Sequence, residues 1–483
     1  MNNILTKKHG IFGREKEIEY LIKHFAKTLN NEFSVCTIIG EAGVGKTYLV
    51  SEVMRRLQNV NYVSGKFKRY NNDFFTAMRD ILRGVVDYTL TLSDEKLESV
   101  KKVLSTNLAG DSYLVISICP ETEKLLGYYK KIQEEDYHKI EYKLTKAVLT
   151  FLDIMSQELS PLIIHFDDLQ WADESSLRLI QELCSNDNGL NSHLVLSYRD
   201  GFQCVLDNIS LELNLKRLSR TETETLINAL FDFKICNIHE ISGYFYKVTL
   251  GTPFYILSLV ESMIREKRIY YNEDECYAFD VDFLKSLQLP DDIKNILTEN
   301  IDRLSKNEYE VLELLVCLGG QTDTIMLYKI VSNSEKFERV FEKLYDIGLI
   351  ITEQFNDKVS YSFSHDIIYE IIHQSITDNR IQKHYEIVSK LIDDPDKIYI
   401  EEHRIFIAAQ IHKCKDIIFT EADSTKYVLE LYYAGLKAKQ MTLIEDASNF
   451  FELCIDLMPL SDQTITKSLV SNATFETSDL VIV

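Results

Sequence analysis

The sequence predicts an α/β domain built on a parallel sheet, followed by segments that are almost wholly helical, and three observations carry that expectation. Residues 33–39 form a short apolar, β-branched run ending in glycine, and from Thr47 onward apolar residues recur at helical spacing. Strand, glycine-rich loop and helix therefore follow one another. Pro161–Phe166 and His193–Ser197 are two more short, nearly continuous apolar runs. Strands buried on both faces look like this, and they belong to parallel sheets covered by helices. From about residue 215 helical patterns dominate, as over 221–232 and 253–267, and strands become rare.

Within the helical half, stretches near 306–318, 323–332 and 335–346 precede two short strand-like runs, Gly348–Thr352 and Val359–Phe363, with Asn356 and Asp357 between them. Three helices followed by a hairpin suggest a winged helix. Its third helix carries Glu335, Lys336, Glu338, Arg339, Glu342, Lys343 and Asp346, a slightly acidic face poorly suited to a DNA groove. Residues 381–458 read as wholly helical, with an antiparallel pair in which Tyr432, Ala434, Leu436 and Ala438 face Ala447, Phe450, Phe451 and Leu453. One or two tetratricopeptide-like units fit this spacing. The stretch from Thr464 to Val483 is Ser/Thr-rich and without a clear period.

Bulk properties narrow the function. A chain of 483 residues exceeds one ordinary core. No run of eighteen apolar residues is present, and the N-terminus lacks the apolar stretch of a secretory signal, so no membrane is expected and the chain is expected in the cytoplasm. Lys and Arg total 53 against 75 Asp and Glu, a formal charge of −22 that repels phosphate backbones and makes nucleic acid an unlikely partner. The nine cysteines are scattered from Cys36 to Cys454 without a Cys-x-x-Cys pair. They are expected as small buried hydrophobes rather than disulfides or zinc ligands.

The chemistry concentrates at two motifs. Gly40-Glu41-Ala42-Gly43-Val44-Gly45-Lys46-Thr47 matches Gly-x-x-x-x-Gly-Lys-Thr without substitution. Glycines let successive backbone N–H groups wrap a phosphate, Lys46 should reach the outer phosphates, and the Thr47 hydroxyl should ligate Mg²⁺. ATP or ADP with Mg²⁺ is the expected ligand. Downstream, Leu162–Phe166 end in Asp167-Asp168, which places two carboxylates at the C-terminal end of a buried strand, where ligands of open α/β sheets bind. Asp167 is assigned to the magnesium shell and Asp168 to the attacking water, an assignment that could also run the other way. Arg199, just after the strand 193–197, either senses the terminal phosphate or is an ordinary surface arginine.

Taken together, Gly13-Arg14-Glu15, Gly40–Thr47, Asp167–Asp173 and Ser197–Asp200 resemble the STAND-type signalling ATPases, and more narrowly the ATPase module of large bacterial multi-domain sensor kinases. Gly65-Lys66-Phe67, Pro120-Glu121, Gly251-Thr252-Pro253-Phe254 and Phe363-Ser364-His365-Asp366 extend the resemblance over about residues 10–460. It implies a P-loop ATPase domain over 10–212, a helical lid over 213–290, a winged helix over 291–380, a TPR-like helical region over 381–460 and a tail over 461–483. It also implies that Pro253 in the lid contacts the nucleotide base, that Gly13 and Arg14 border the adenine, and that His365 holds the diphosphate form closed. The usual Gly-Asn-Pro of the lid is Gly251-Thr252-Pro253 here, and the kinase domains of the larger members are not recognisable. The function so implied is a slowly hydrolysing, nucleotide-driven switch with protein partners on the helical C-terminal region and nucleotide-dependent self-association. A fast-turnover AAA-type ATPase and an ATP-dependent DNA-binding regulator like the origin-recognition proteins are the alternatives.

Overall fold

The computed structural model describes residues 13–457, apart from 29–32, 58, 68–74, 109, 128–136, 186–191, 205, 274, 288–297, 299, 300, 302, 332, 333, 356, 357, 365, 377–379, 420–423, 441 and 442. His365, the Asn356-Asp357 turn and the tail over 461–483 lie outside the described residues.

Five parallel strands form the central sheet: β1 (Ser34–Ile39), β2 (Asn61–Lys66), β3 (Leu162–Asp167), β4 (Ser192–Tyr198) and β5 (Ile209–Asn214), in the order β2-β3-β4-β1-β5. The three strands expected from apolar runs are the three central ones. Every residue of β3 and β4 is buried, as strands covered on both faces require. The edge strands β2 and β5 are more polar, alternate in burial and carry no continuous apolar run.

Between β2 and β3 the chain is mainly helical, over Thr76–Leu90, Asp94–Asn107, Ser112–Ile118 and Tyr137–Glu158. These helices pack on one face of the sheet, with Val85, Val86, Leu104 and Phe151 in one cluster with Phe166 of β3. The other face is covered by the helices Glu15–Thr28 and Lys46–Arg56, with Leu21, Phe25, Leu49 and Val53 over Cys36, Ile38, Ile163 and Val195. Gly65 on β2 lies so close to the next helix that a Cβ would stand 1.9 Å from the carbonyl oxygen of Ala77. Only glycine fits there.

After β5 come the helices Arg220–Leu230, Ile238–Thr249 and Pro253–Arg265 and a small hairpin, β6 (Ile269–Tyr271) and β7 (Tyr277–Phe279). They enclose their own apolar cluster around Ile227, Phe245, Leu259 and Phe279. Ser219 and Glu222 begin the first of these helices with reciprocal capping hydrogen bonds. Here the cysteine expectation needs correction. Cys236 and Cys276 form a disulfide across 40 residues, with Cα atoms 5.5 Å apart. The parallel bridge of Ile235 to Tyr277 brings the two thiols together, a pairing that sequence spacing does not reveal. Among the seven free cysteines, six are buried as expected.

The next unit holds the three helices and the hairpin expected from the sequence, the helices Lys306–Cys317, Thr324–Ile330 and Ser334–Asp346 and the hairpin β9 (Ile350–Phe355) and β10 (Lys358–Phe363), with a short strand not expected, numbered β8 (Gln321–Asp323), between the first two helices. Its sheet runs β8-β10-β9, antiparallel throughout. The remaining helices include Arg380–Ile392, Arg404–Lys413 and the pair Thr425–Gln440 and Ile444–Leu457. In that pair a Cβ at Gly435 would meet the Phe451 ring at 2.5 Å, so the two helices approach as closely as glycine allows.

Glu261, on the helix Pro253–Arg265, faces the backbone of Gly348 at the start of the wing hairpin, and a Cβ there would lie 3.2 Å from its Oε2. Burial pushes its carboxyl from 4.5 up to about 7, against the pull of Arg265. Because the folded value lies above the unfolded one, stability is fully present below pH 4.5 and is lost as pH rises through about 7. Thermal melts of wild type and Glu261→Gln should therefore coincide near pH 4.5 and separate progressively up to pH 7, with the Gln variant melting a few degrees higher and no further divergence above it.

Candidate functional site

The glycine-rich loop leaves β1 and turns directly into the helix Lys46–Arg56. Gly43 at φ 78° and Gly45 at φ 96° occupy the left-handed region, which is what the spacing of glycines in the motif anticipates. The Lys46 ammonium is buried and curls back onto its own loop, donating to the carbonyls of Gly40 at 2.8 Å and Glu41 at 3.1 Å. Burial lowers its pKa, while Asp168 and Asp167 pull it back up and Arg199 pushes it down. Those causes also place Lys46, the two carboxylates and Arg199 within one electrostatic neighbourhood. At the loop's second position Glu41 pairs with Arg217 at 2.6 Å.

β4 lies between β1 and β3, so the loop and the acidic pair are two strands apart. The gap is bridged by hydroxyls. Thr47 Oγ1 donates to Asp167 Oδ2 at 2.6 Å, and Ser197 Oγ, from β4, donates to Asp167 Oδ1. Burial by itself would raise the Asp167 carboxyl, but His165, Lys66 and the two hydroxyl donors outweigh it and hold it below the usual carboxylate range. Asp167 is the last residue of β3. Asp168 then breaks from the strand at φ 56° into a short 3-10 turn, Leu169–Trp171. Its Oδ2 meets the Lys66 ammonium at 3.0 Å and its Oδ1 accepts from Gln170 Nε2 at 3.0 Å.

The expected residues therefore converge in part. Lys46, Thr47, Asp167 and Asp168 gather at the C-terminal ends of β1 and β3. Arg199, half-buried at the end of β4, sits between them, its guanidinium 5.2 Å from the Trp171 ring centroid and its N–H donating to Gln170 Oε1 at 3.0 Å. Gly13 and Arg14 lie beside the loop. The buried Arg14 guanidinium donates to the Val44 carbonyl at 3.3 Å and to that of Lys216, strapping the loop to the segment after β5. Pro253 opens the helix Pro253–Arg265, and the next N–H, of Phe254, donates to Gly43 O in the loop at 3.3 Å. Gly251 at φ 74° accepts from Leu218 N–H at 2.8 Å, where a Cβ would stand 1.9 Å from the Leu218 carbonyl oxygen.

Three contributors escaped sequence reasoning as functional groups: Lys66, Gln170 and Ser197. Lys66 and Ser197 come from β2 and β4, and only strand register places them against the acidic pair, with Lys66 opposite Asp167 in the β2–β3 pairing. Gln170 follows Asp168 by two residues, a spacing that gave no sign of its hydrogen bond.

The donor set suits magnesium. Among the described residues no cluster of three or more His, Cys, Asp or Glu side chains forms a metal cage. One threonine hydroxyl and one carboxylate beside a phosphate-binding loop match a cation that arrives with its nucleotide and retains water. Thr47 and Asp167 are the residues that could hold it. Among the described residues no helix is long and apolar enough to cross a membrane.

The chain is similar to several known proteins. The hybrid signal transduction histidine kinase G of Dictyostelium discoideum is 20% identical over 417 residues, covering 71% of this chain and 12% of the relative. The peroxide stress-activated histidine kinase mak3 of Schizosaccharomyces pombe is 22% identical over 335 residues, covering 65% of this chain and 14% of the relative. The chain thus spans about an eighth of the length of these curated relatives. Among solved structures, the Signal Transduction ATPase with Numerous Domains (STAND) protein with a tetratricopeptide repeat sensor from Pyrococcus horikoshii is 15% identical. It covers 97% of this chain and 61% of its own, at a TM-score of 0.47. Residues 10–196 match the model of the AAA ATPase domain. That stretch, which holds the glycine-rich loop and both aspartates, is similar to the AAA ATPase domain.

Proposed function

We propose that the chain is a nucleotide-driven switch of the STAND type: it binds ATP with Mg²⁺ at Gly40–Thr47, hydrolyses it slowly, and changes its association state with the nucleotide it holds. The observation that carries this reading is the hydrogen bond from Phe254 N–H to the Gly43 carbonyl. It ties the first turn of a helix outside the sheet to the loop that would wrap the phosphates. A ligand that reshapes the loop then acts directly on that helix, and through Glu261 on the wing hairpin.

The roles divide by position. The loop N–H groups and Lys46 bind the phosphates, for which Lys46 must exchange its carbonyl partners for phosphate oxygens. Thr47 and Asp167 hold the cation, which supplies charge neutralisation on the phosphates. Asp168 orients the attacking water, with Lys66 and Gln170 fixing its carboxylate. Arg199 senses the terminal phosphate. Pro253, beside the loop, contacts the base, and Gly13 and Arg14 border it. His365 holds the diphosphate form closed. A ligand shifts such a two-state system only by its difference in affinity for the two states, so ADP must favour the closed arrangement and ATP the open one. Helices of the C-terminal region supply the surface for protein partners or self-association.

Phosphate release decides between switch and motor. Slow release that disappears in Lys46→Ala supports the switch, and many turnovers per second would support a mechanical ATPase instead. Lys46→Ala should weaken ATP binding on the order of a hundredfold, the loss expected for a buried charge-assisted contact. Asp168→Asn should keep binding and lower turnover by roughly a hundredfold or more. If ATP and ADP forms sediment identically and expose the same protease sites, the switch reading is wrong.

Trp171 is the single tryptophan, and its ring lies against Arg199. ATP should change its emission more than ADP does, and Arg199→Ala should make the two responses equal. Equal responses already in the wild type would remove Arg199 from the sensing role.

A further inference from the structure

The sheet face beneath the helix Lys46–Arg56 is apolar at Cys36, Ile38, Ile163 and Val195, and it carries a buried polar pair, Ser34 Oγ and His193 Nδ1 at 2.7 Å, and one longer polar line. On that line Tyr62 of β2, His165 and Asp167 of β3 and Ser197 of β4 form an unbroken series of hydrogen bonds that ends at Thr47. Tyr62 OH and His165 Nδ1 are 2.9 Å apart, and His165 Nε2 and Ser197 Oγ are 3.0 Å apart. Ser197 Oγ meets Asp167 Oδ1, and Asp167 Oδ2 meets Thr47 Oγ1 at 2.6 Å. His165 is 1% exposed, Asp167 2% and Ser197 fully buried, so each group depends on its neighbours for hydrogen bonding.

The direction of every bond follows from chemistry. An ionised carboxylate only accepts, so Ser197 and Thr47 both donate to Asp167. The single Ser197 proton is then spent, and its oxygen must accept from His165 Nε2–H. With Nε2 as the donor to Ser197, Nδ1 is the acceptor, and Tyr62 OH donates to it. One tautomer of His165 therefore satisfies the whole line. The consequence falls on Asp167. Its Oδ1 is committed to Ser197, so only Oδ2 turns toward Thr47, whose lone pairs remain open while its proton is held.

We propose that His165, oriented by Tyr62 and acting through Ser197, is a positioning residue that presents Asp167 Oδ2 and the Thr47 hydroxyl to the cation of the bound nucleotide. This rests on the nucleotide-with-magnesium reading of the same site. A packing role alone does not call for this arrangement. Three apolar side chains would fill the positions of Tyr62, His165 and Ser197 without the desolvation that a buried polar line incurs.

The test is calorimetric titration of ADP, in EDTA and across a series of Mg²⁺ concentrations, into wild type, Tyr62→Phe, His165→Leu, Ser197→Ala and the double variant of Tyr62 and His165. The reading is the ratio of ADP affinity with Mg²⁺ to that in EDTA, which a general loss of packing does not move. His165→Leu and Ser197→Ala should lower that ratio by about tenfold, the lower end for groups that support a metal ligand, and Tyr62→Phe by about threefold. Tyr62→Phe should add nothing on the His165→Leu background, because both break one line. If His165→Leu does not fold, Ser197→Ala and Tyr62→Phe decide alone. Wild-type ratios in the folded variants, or losses for Tyr62 and His165 that simply multiply, would overturn the proposal while leaving the nucleotide site intact. A wild type that binds no ADP, or binds it without regard to Mg²⁺, sinks the underlying reading and the positioning role with it.

Discussion

The architecture of the site depends on one buried carboxylate. Asp167 stands at the end of β3 and is reached by hydroxyls from two other elements, Thr47 on the loop helix and Ser197 on β4. An ionised carboxylate in a dry sheet is tolerable only when its oxygens are saturated by donors. The same requirement fixes the spacing of β1, β4 and β3 at their C-terminal ends, since a slip of β4 by one residue would carry Ser197 to the opposite face. Structural necessity and the proposed placing of a metal ligand are here the same constraint.

Around that point the charges are arranged as a ladder rather than a pool. Lys46 is held on the carbonyls of Gly40 and Glu41, Lys66 on Asp168, and Arg217 on Glu41. On the proposed reading Lys46 exchanges its two carbonyls for phosphate oxygens, while Lys66 stays on Asp168.

The helical segment after β5 is tied to the sheet domain by backbone hydrogen bonds. The backbone bond from Phe254 to Gly43 joins it to the loop, and the bond from Leu218 to Gly251 holds the start of the helix Pro253–Arg265 to the segment after β5, through a glycine that no other residue could replace without a backbone clash. The disulfide from Cys236 to Cys276 stiffens the same segment away from the loop. On the proposed reading, this segment, attached at the glycine-rich loop and facing Gly348 of the wing through Glu261, is the route by which nucleotide occupancy is felt beyond the sheet.

The sequence alone determined the loop, the acidic pair and the three central strands, because each is a local property: fixed glycine spacing, continuous apolar runs and carboxylates that follow them. The helical half and the wing hairpin were legible for the same reason, through periodicity. Tertiary structure alone decided what crosses between strands. Lys66 on Asp168 and Ser197 on Asp167 are products of parallel register, which carries no mark in a single chain, and the edge strands β2 and β5 lack the apolar continuity that announces a central one. The Cys236–Cys276 bridge and the strapping of Arg14 onto Val44 likewise join residues tens of positions apart. Local physics writes itself into sequence pattern; contacts made by packing distant segments do not, because their partners are chosen by the fold.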